Sequence, residues 1–219
     1  MEHETEIAPD ANALAAMAAS YVVSLAKAAV VARGRFTFAV SGGHTPWAMF
    51  EALRAEYMPW ARVELFQVDE RVAPEGDPDR NLTHLRESIG DVPAQVHPMP
   101  VNYPDLDAAA ADYAAVLPER FDVVHLGLGP DGHTASLVPG DPVLEVTGKL
   151  VGVTEPYQGH QRMTLTYSAL ARADQLLWLV AGADKRDAMA KLLAGDESIP
   201  AGRVRATRSL IMADESAAP

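Results

Sequence analysis

Strand-like apolar runs and helical stretches alternate along almost the whole chain, and that alternation predicts a layered α/β fold with a mainly parallel sheet. The alanine-rich stretch from Asn12 to Arg33 predicts a first helix, closed by Gly34 as C-cap. Arg35–Val40 (RFTFAV) has the alternation and aromatic content of a strand. A helical pattern follows from Pro46 to about Tyr57, with Thr45 as N-cap and Pro46 at the first helical position. Arg62–Val68 (RVELFQV) predicts a second strand and Asn81–Ile89 a helix. Pro93–Pro104 is a proline-rich connection, and Leu106–Val116 predicts another alanine-rich helix. Beyond it come a strand opening at Phe121, a short strand over Lys149–Val153, a loop over Glu155–Gln161 and a strand over Arg162–Thr166. Tyr167–Arg172 is a turn or short helix. The continuous apolar run Gln175–Ala181 predicts a central strand, Lys185–Leu193 a helix and Val204–Thr207 the last strand. No repeat or linker interrupts the pattern, which predicts one domain over 1–219 with loose termini at 1–10 and 214–219.

Two strand-to-helix junctions carry candidate chemistry. The stretch Phe121–Gly140 (FDVVHLGLGPDGHTASLVPG) passes from an apolar strand into a loop rich in glycine, with Asp131 and His133 inside it. Ligands of open α/β sheets gather at the carboxyl ends of strands, so a titratable histidine there is the leading candidate for catalysis. His125, inside the apolar run, is read as structural. Earlier, Ser41-Gly42-Gly43-His44-Thr45-Pro46 joins a strand to a helix. Free amides at such a helix start, reached over glycines, make an anion cradle. No Gly-Lys-Ser/Thr follows, which disfavours a nucleoside triphosphate. Gly127–Gly132 formally matches G-x-G-x-x-G. However, Asp131 would set negative charge beside a pyrophosphate, and Pro139-Gly140 cuts short the helix that motif requires.

Composition removes further classes. The formal charge of −12 argues against general phosphate attraction to nucleic acid, though a local basic cluster can still bind a small anion. The chain has no cysteine, which excludes disulfides, thiolate nucleophiles and cysteine-held metals. Its seven histidines show no metal-ligating spacing, and there is no G-x-S-x-G elbow. The acidic start lacks the features of a signal or transit peptide. Ala13–Val31, dominated by alanine and broken by Ser20, Ser24 and Lys27, is expected to pack as a core helix and not to enter a membrane. The expected location is the cytoplasm. Direct activation of water by a histidine is the economical chemistry.

The SGGHTP loop, the FQVDERV strand end, the GLGPDGHTASLVPG loop, Arg162 in RMTLT and Lys185 in GADK occur in an order that resembles 6-phosphogluconolactonases. These belong to a larger group that includes glucosamine-6-phosphate deaminases and resembles ribose-5-phosphate isomerases. DGHTASLVPG is the most specific piece and DERV the second. The resemblance implies a Rossmann-like α/β fold of the sugar-phosphate isomerase type. It implies hydrolysis of 6-phospho-D-glucono-1,5-lactone in the oxidative pentose phosphate pathway, with no cofactor and no metal. The implied partner is that small sugar-phosphate lactone, bound by a monomer or small homo-oligomer.

By position, His133 would be the general base, with Asp131 or another carboxylate such as Glu70 orienting it. Arg71 would face the lactone end. Ser41, Gly42, Gly43 and Thr45 would hold the phosphate with charge from Arg162 and Lys185, and Asp69 would join the substrate contacts. The chain departs from the group's pattern at His44, where serine is commoner, at Val138, where phenylalanine is common, and at Pro130, where an acidic residue is commoner. A deaminase would carry an acidic residue at 138 and tyrosine at 71. A non-catalytic sugar-phosphate sensor would be expected to carry a DNA-binding segment, and none is apparent.

Overall fold

The computed structural model describes residues 2–219. In chain order the strands are β1 (Glu4–Ala8), β2 (Phe36–Val40), β3 (Val63–Gln67), β4 (Asp69–Arg71), β5 (Gln95–His97), β6 (Phe121–Leu126), β7 (Val151–Val153), β8 (Arg162–Leu165), β9 (Ala173–Val180) and β10 (Arg208–Asp214). The helices are α1 (Ala11–Arg33), α2 (His44–Ala55), α3 (Asn81–Ile89), α4 (Leu106–Val116), α5 (Tyr167–Leu170) and α6 (Arg186–Leu193). Seven strands form one parallel sheet in the order β1-β10-β9-β6-β2-β3-β5. A second, antiparallel sheet has the order β4-β8-β7. Val68 splices the two: its N–H donates to Val40 O (2.9 Å), and its carbonyl accepts from Leu165 N (2.8 Å).

The central run of β9 shows why continuous apolar sequence marks a strand buried on both faces. Leu176, Trp178 and Val180 enter the core shared with α4, α6 and the small sheet, while Leu177 and Leu179 enter the core under α1, α2 and α3. α1 is long and apolar enough to span a bilayer, with a mean hydropathy of 1.8 over its most apolar window. Here Leu14, Ala18, Val22 and Ala26, spaced by four, are buried along one face against that core. Asp10 caps its first turn by accepting from Ala13 N at 2.8 Å, and Gly34 (φ 77°) ends it.

The structure corrects several boundaries. Thr45 is not an N-cap: Gly43, at φ 130°, turns the chain directly into α2, so the helix starts at His44 and Pro46 is its third residue. The proline-rich connection contains β5, a short edge strand paired to β3. The charged run after β3 is itself a strand, β4. Val204–Thr207 is not the last strand. Pro200–Arg203 forms a turn of 3-10 helix, and the chain pairs with β9 only from Arg208.

Neither terminus is loose where it is described. Glu4–Ala8 adds a strand to the sheet edge, and its exposed acidic residues guard that edge against pairing with other chains. At the other end, the Asp214 carboxylate accepts from Gly182 N, Ser216 Oγ and Ala217 N, and Ala217 is fully buried. The tail thereby braces the turn that follows β9.

Candidate active site

β2 and β6 are neighbours, yet the chain leaves them in opposite directions, β2 towards β3 and β5, β6 towards β9 and β10. Loops that diverge at such a switch point open a crevice beyond the strand ends. A cleft of ≈ 360 Å³ lies there. It is lined by Ser41–Thr45 after β2, Asp69 and Arg71 on β4, Asn81 at the start of α3, Gly127–Gly129 and His133–Ala135 after β6, Arg162 on β8 and Lys185 after β9. The candidate catalytic and substrate-binding residues from the sequence all line this cleft except Asp131, which stands behind His133, and Glu70, which does not reach it.

The loop after β6 is built around that pair. His133 Nδ1 lies 2.5 Å from Asp131 Oδ1, and the same oxygen accepts from His133 N at 3.1 Å. Burial works to raise the Asp131 pKa, but the His133 amide and imidazole outweigh it and hold the carboxyl below its ordinary value. An ionised carboxylate only accepts hydrogen bonds, so it fixes the proton on Nδ1 and leaves a lone pair on Nε2. Gly129 is obligatory at its place: a Cβ there would stand 2.1 Å from His133 Nδ1 and 2.7 Å from Asp131 Oδ1. Gly129 N donates to His133 O (2.8 Å), and Ala201 N ties Gly132 O (3.0 Å) to the 3-10 turn before β10. Ala135, on the cleft wall, is held at φ 51°, a left-handed backbone that functional loops maintain at some cost.

Glu70 does not orient the imidazole. Its fully buried carboxylate pairs with Arg80 Nε (2.9 Å) and accepts from Gln67 Nε2, Arg71 N, Asn81 N and Leu82 N. It caps α3 from a neighbouring strand, a role that its position in a charged run did not reveal.

Positive charge is concentrated on the small sheet. The register of β4 and β8 sets Arg71 directly opposite Arg162. Like charges so placed are destabilising without an anion to share. Arg162 is 5% exposed, and burial lowers its pKa. Its Nε has no partner among the described residues, and its Nη2 reaches only the Tyr157 carbonyl and Gln158 Oε1, both at 3.4 Å. Asp69, two residues before Arg71 on β4, interacts with both arginine charges. Burial raises its pKa, against the Ser136 hydroxyl (2.7 Å) and the Arg162 charge. Arg71 Nη1 donates to Asp79 O at 2.6 Å, and Lys185 Nζ sits 2.9 Å from Asp184.

Across the cleft, no side chain caps α2, so its first amides are free, as an anion cradle requires. Ser41 is anchored from below, with its N–H on His125 Nδ1 (3.3 Å) and its hydroxyl on His125 O (3.2 Å). The structural reading of His125 agrees with its full burial, which pushes its pKa down to about 3. An unfolded histidine takes up its proton near pH 6.5, so His125 contributes stability above that pH and loses it progressively as the pH falls towards 3. The expected loss between pH 7 and pH 5 is about 2 kcal/mol. Urea unfolding at the two pH values should show a smaller loss for His125→Gln than for the parent, and equal losses would refute the assignment.

Sequence reasoning missed Asn81, which it read only as the start of a helix, and Ser136, which holds Asp69. Among the described residues no three His, Asp or Glu side chains are grouped to hold a metal.

A family model described as glucosamine-6-phosphate isomerases/6-phosphogluconolactonase matches residues 9–212. Over an alignment 242 positions long, the chain is 38% identical to the 6-phosphogluconolactonase of Mycobacterium tuberculosis, covering 100% of this chain and 98% of that protein. A solved 6-phosphogluconolactonase from Shewanella baltica superposes with a TM-score of 0.89 at 28% identity, over 97% of this chain and 98% of the other. A monomeric glucosamine-6-phosphate deaminase superposes with a TM-score of 0.86 at 17% identity, over 98% of each chain, so the fold alone does not separate the two activities. By the match across nearly its whole length and the similarity to full-length relatives, the chain belongs to the glucosamine-6-phosphate isomerase/6-phosphogluconolactonase family.

Proposed function

We propose that the cleft hydrolyses 6-phospho-D-glucono-1,5-lactone to 6-phosphogluconate, with His133 as general base. The observation that carries this is the Asp131-held imidazole, its Nε2 free, in a cleft where Arg71 and Arg162 face each other and outnumber the one lining carboxylate, Asp69, that interacts with both. The full-length relatives named for this activity support it.

In this reading Nε2 takes a proton from water as the water oxygen bonds to C1. The carbonyl electrons move onto the oxygen, where Arg71 stabilises the oxyanion. Collapse of the tetrahedral intermediate re-forms the carbonyl and breaks the bond from C1 to the ring oxygen. The imidazolium returns its proton to that leaving oxygen. Asp131 stays ionised throughout, holding the ring and balancing the transient imidazolium. The loop of Ser41, Gly42, Gly43 and Thr45 takes the phosphate with Arg162 and Lys185, and Asp69 accepts from a sugar hydroxyl. Binding energy from the remote phosphate fixes C1 against the water.

The deaminase reading requires a further acid–base group, and the position before Pro139 holds the buried, neutral Val138. Fresh 6-phosphogluconolactone should be hydrolysed well above its spontaneous rate, while glucosamine-6-phosphate releases no ammonia. Ammonia release without lactone hydrolysis would overturn the proposal.

A further inference from the structure

Asn81 lines the cleft, is 7% exposed, and has no role in the mechanism above. Its side chain stands between the two halves of the site. Nδ2 donates to Asp69 O at 3.0 Å, which fixes the orientation of the carboxamide. On the other side, Oδ1 lies so close over Gly42 that a Cβ there would come within 2.1 Å of it. The second Nδ2 hydrogen and Oδ1 have no hydrogen-bond partner among the described residues, and Oδ1 is not sealed from the cleft.

The surroundings show how firmly this side chain is placed. Glu70 and Arg80 form an ion pair whose side chains are 0% and 4% exposed, and breaking such a pair is costly. Its carboxylate receives the Asn81 and Leu82 amides, and Arg80 is held further by Ala73 O (2.9 Å) and Asn102 Oδ1 (2.7 Å). The pair thus fixes the first residue of α3 relative to β4. Helix stability alone would be served by an ordinary serine or aspartate cap.

We propose that Asn81 reads the sugar hydroxyls between the phosphate and the reacting carbon. This rests on the lactonase reading and extends it. A group offering one donor and one acceptor side by side matches hydroxyls, which do both. It suits a phosphate poorly, because the carbonyl oxygen would face anionic oxygens. Its place between the Gly42 loop and Asp69 is where the carbon chain must pass.

The test compares inhibition by 6-phosphogluconate and by inorganic phosphate. In Asn81→Ala, the inhibition constant for 6-phosphogluconate and the KM for the lactone should rise about tenfold, as loss of a buried hydrogen-bonding pair implies. The inhibition constant for phosphate should stay within twofold. An unchanged constant for 6-phosphogluconate, or an equal rise in both, overturns the proposal, since a merely structural role would disturb the cradle as well. If Asn81→Ala does not fold, Asn81→Ser is judged by the same ratio. Failure of the lactonase reading is seen separately, as a parent protein that binds 6-phosphogluconate no better than phosphate.

Discussion

Replacing His133 with alanine should lower kcat by about 10²–10⁴-fold while 6-phosphogluconate still binds. The separation follows from the layout of the cleft. His133 belongs to the loop after β6, whereas the proposed phosphate contacts come from the loop after β2, from β8 and from the turn after β9. Gly129 N and Gly132 O are tied through backbone atoms, so removing the imidazole leaves the loop its main anchors. Asp131→Asn should be less severe. An asparagine can accept from Nδ1–H through its oxygen, but it neither enforces that tautomer nor balances the imidazolium. Added imidazole should restore part of the activity of His133→Ala, because the base acts on water and the truncated side chain leaves room beside it. The measurement is steady-state hydrolysis of fresh lactone corrected for spontaneous opening, with binding of 6-phosphogluconate followed in parallel. Activity near that of the parent would remove histidine from the base role.

The fold was legible wherever burial imposed a strong pattern. The run later found as β9 is apolar at successive positions because both faces are covered, and α3 and α4 matched their expected bounds residue for residue. What escaped notice was set by partners distant in sequence. β1 is acidic and exposed along most of its length, so its pairing with β10 has no local signal. The tail from Asp214 to Pro219 looks polar and disposable until Gly182 N is found on the Asp214 carboxylate. Gly43, not Thr45, starts α2, because a backbone that only glycine adopts readily outweighed the capping preference of threonine.

The site divides along the same line. His133 and Asp131 are two residues apart, so a loop motif suffices to propose them. Arg71 and Arg162 are separated by ninety residues of chain and meet only through the antiparallel register of β4 and β8. The register also shows that they share one wall, which their separate assignments to the lactone and phosphate ends did not anticipate. Glu70 looked like a rival partner for His133 from sequence. The orphan amides of α3, which it caps, become visible only when β4 lies against that helix.

Arg162→Ala should raise the KM for the phosphorylated lactone by about 10²-fold, the scale of one or two charge-assisted hydrogen bonds. The unphosphorylated lactone should change by less than about threefold on the same scale. The ratio between the two substrates is therefore the informative quantity. The large effect is expected because Arg162 is buried, with two long hydrogen bonds to neutral oxygens, the Tyr157 ring 5.1 Å away and, among the described residues, no carboxylate at ion-pair distance, so its guanidinium is already dehydrated and open to a phosphate. Lys185 differs. It is held by Asp184 and acts as a point charge, so Lys185→Ala should cause a smaller rise in the same ratio. Arg162→Lys should fall between, keeping charge but losing the planar fork. Stability should respond in the opposite sense to a usual buried ion pair. Removing Arg162 relieves its repulsion with Arg71, but it also removes the charge that opposes protonation of buried Asp69. With Arg162 gone, the Asp69 pKa moves further up, so the variant should tolerate acid relatively better than the parent and lose that advantage as the pH rises. A substrate ratio that stays at the parent value, with the protein folded by circular dichroism, would show that the anion held by the arginine pair is not the phosphate.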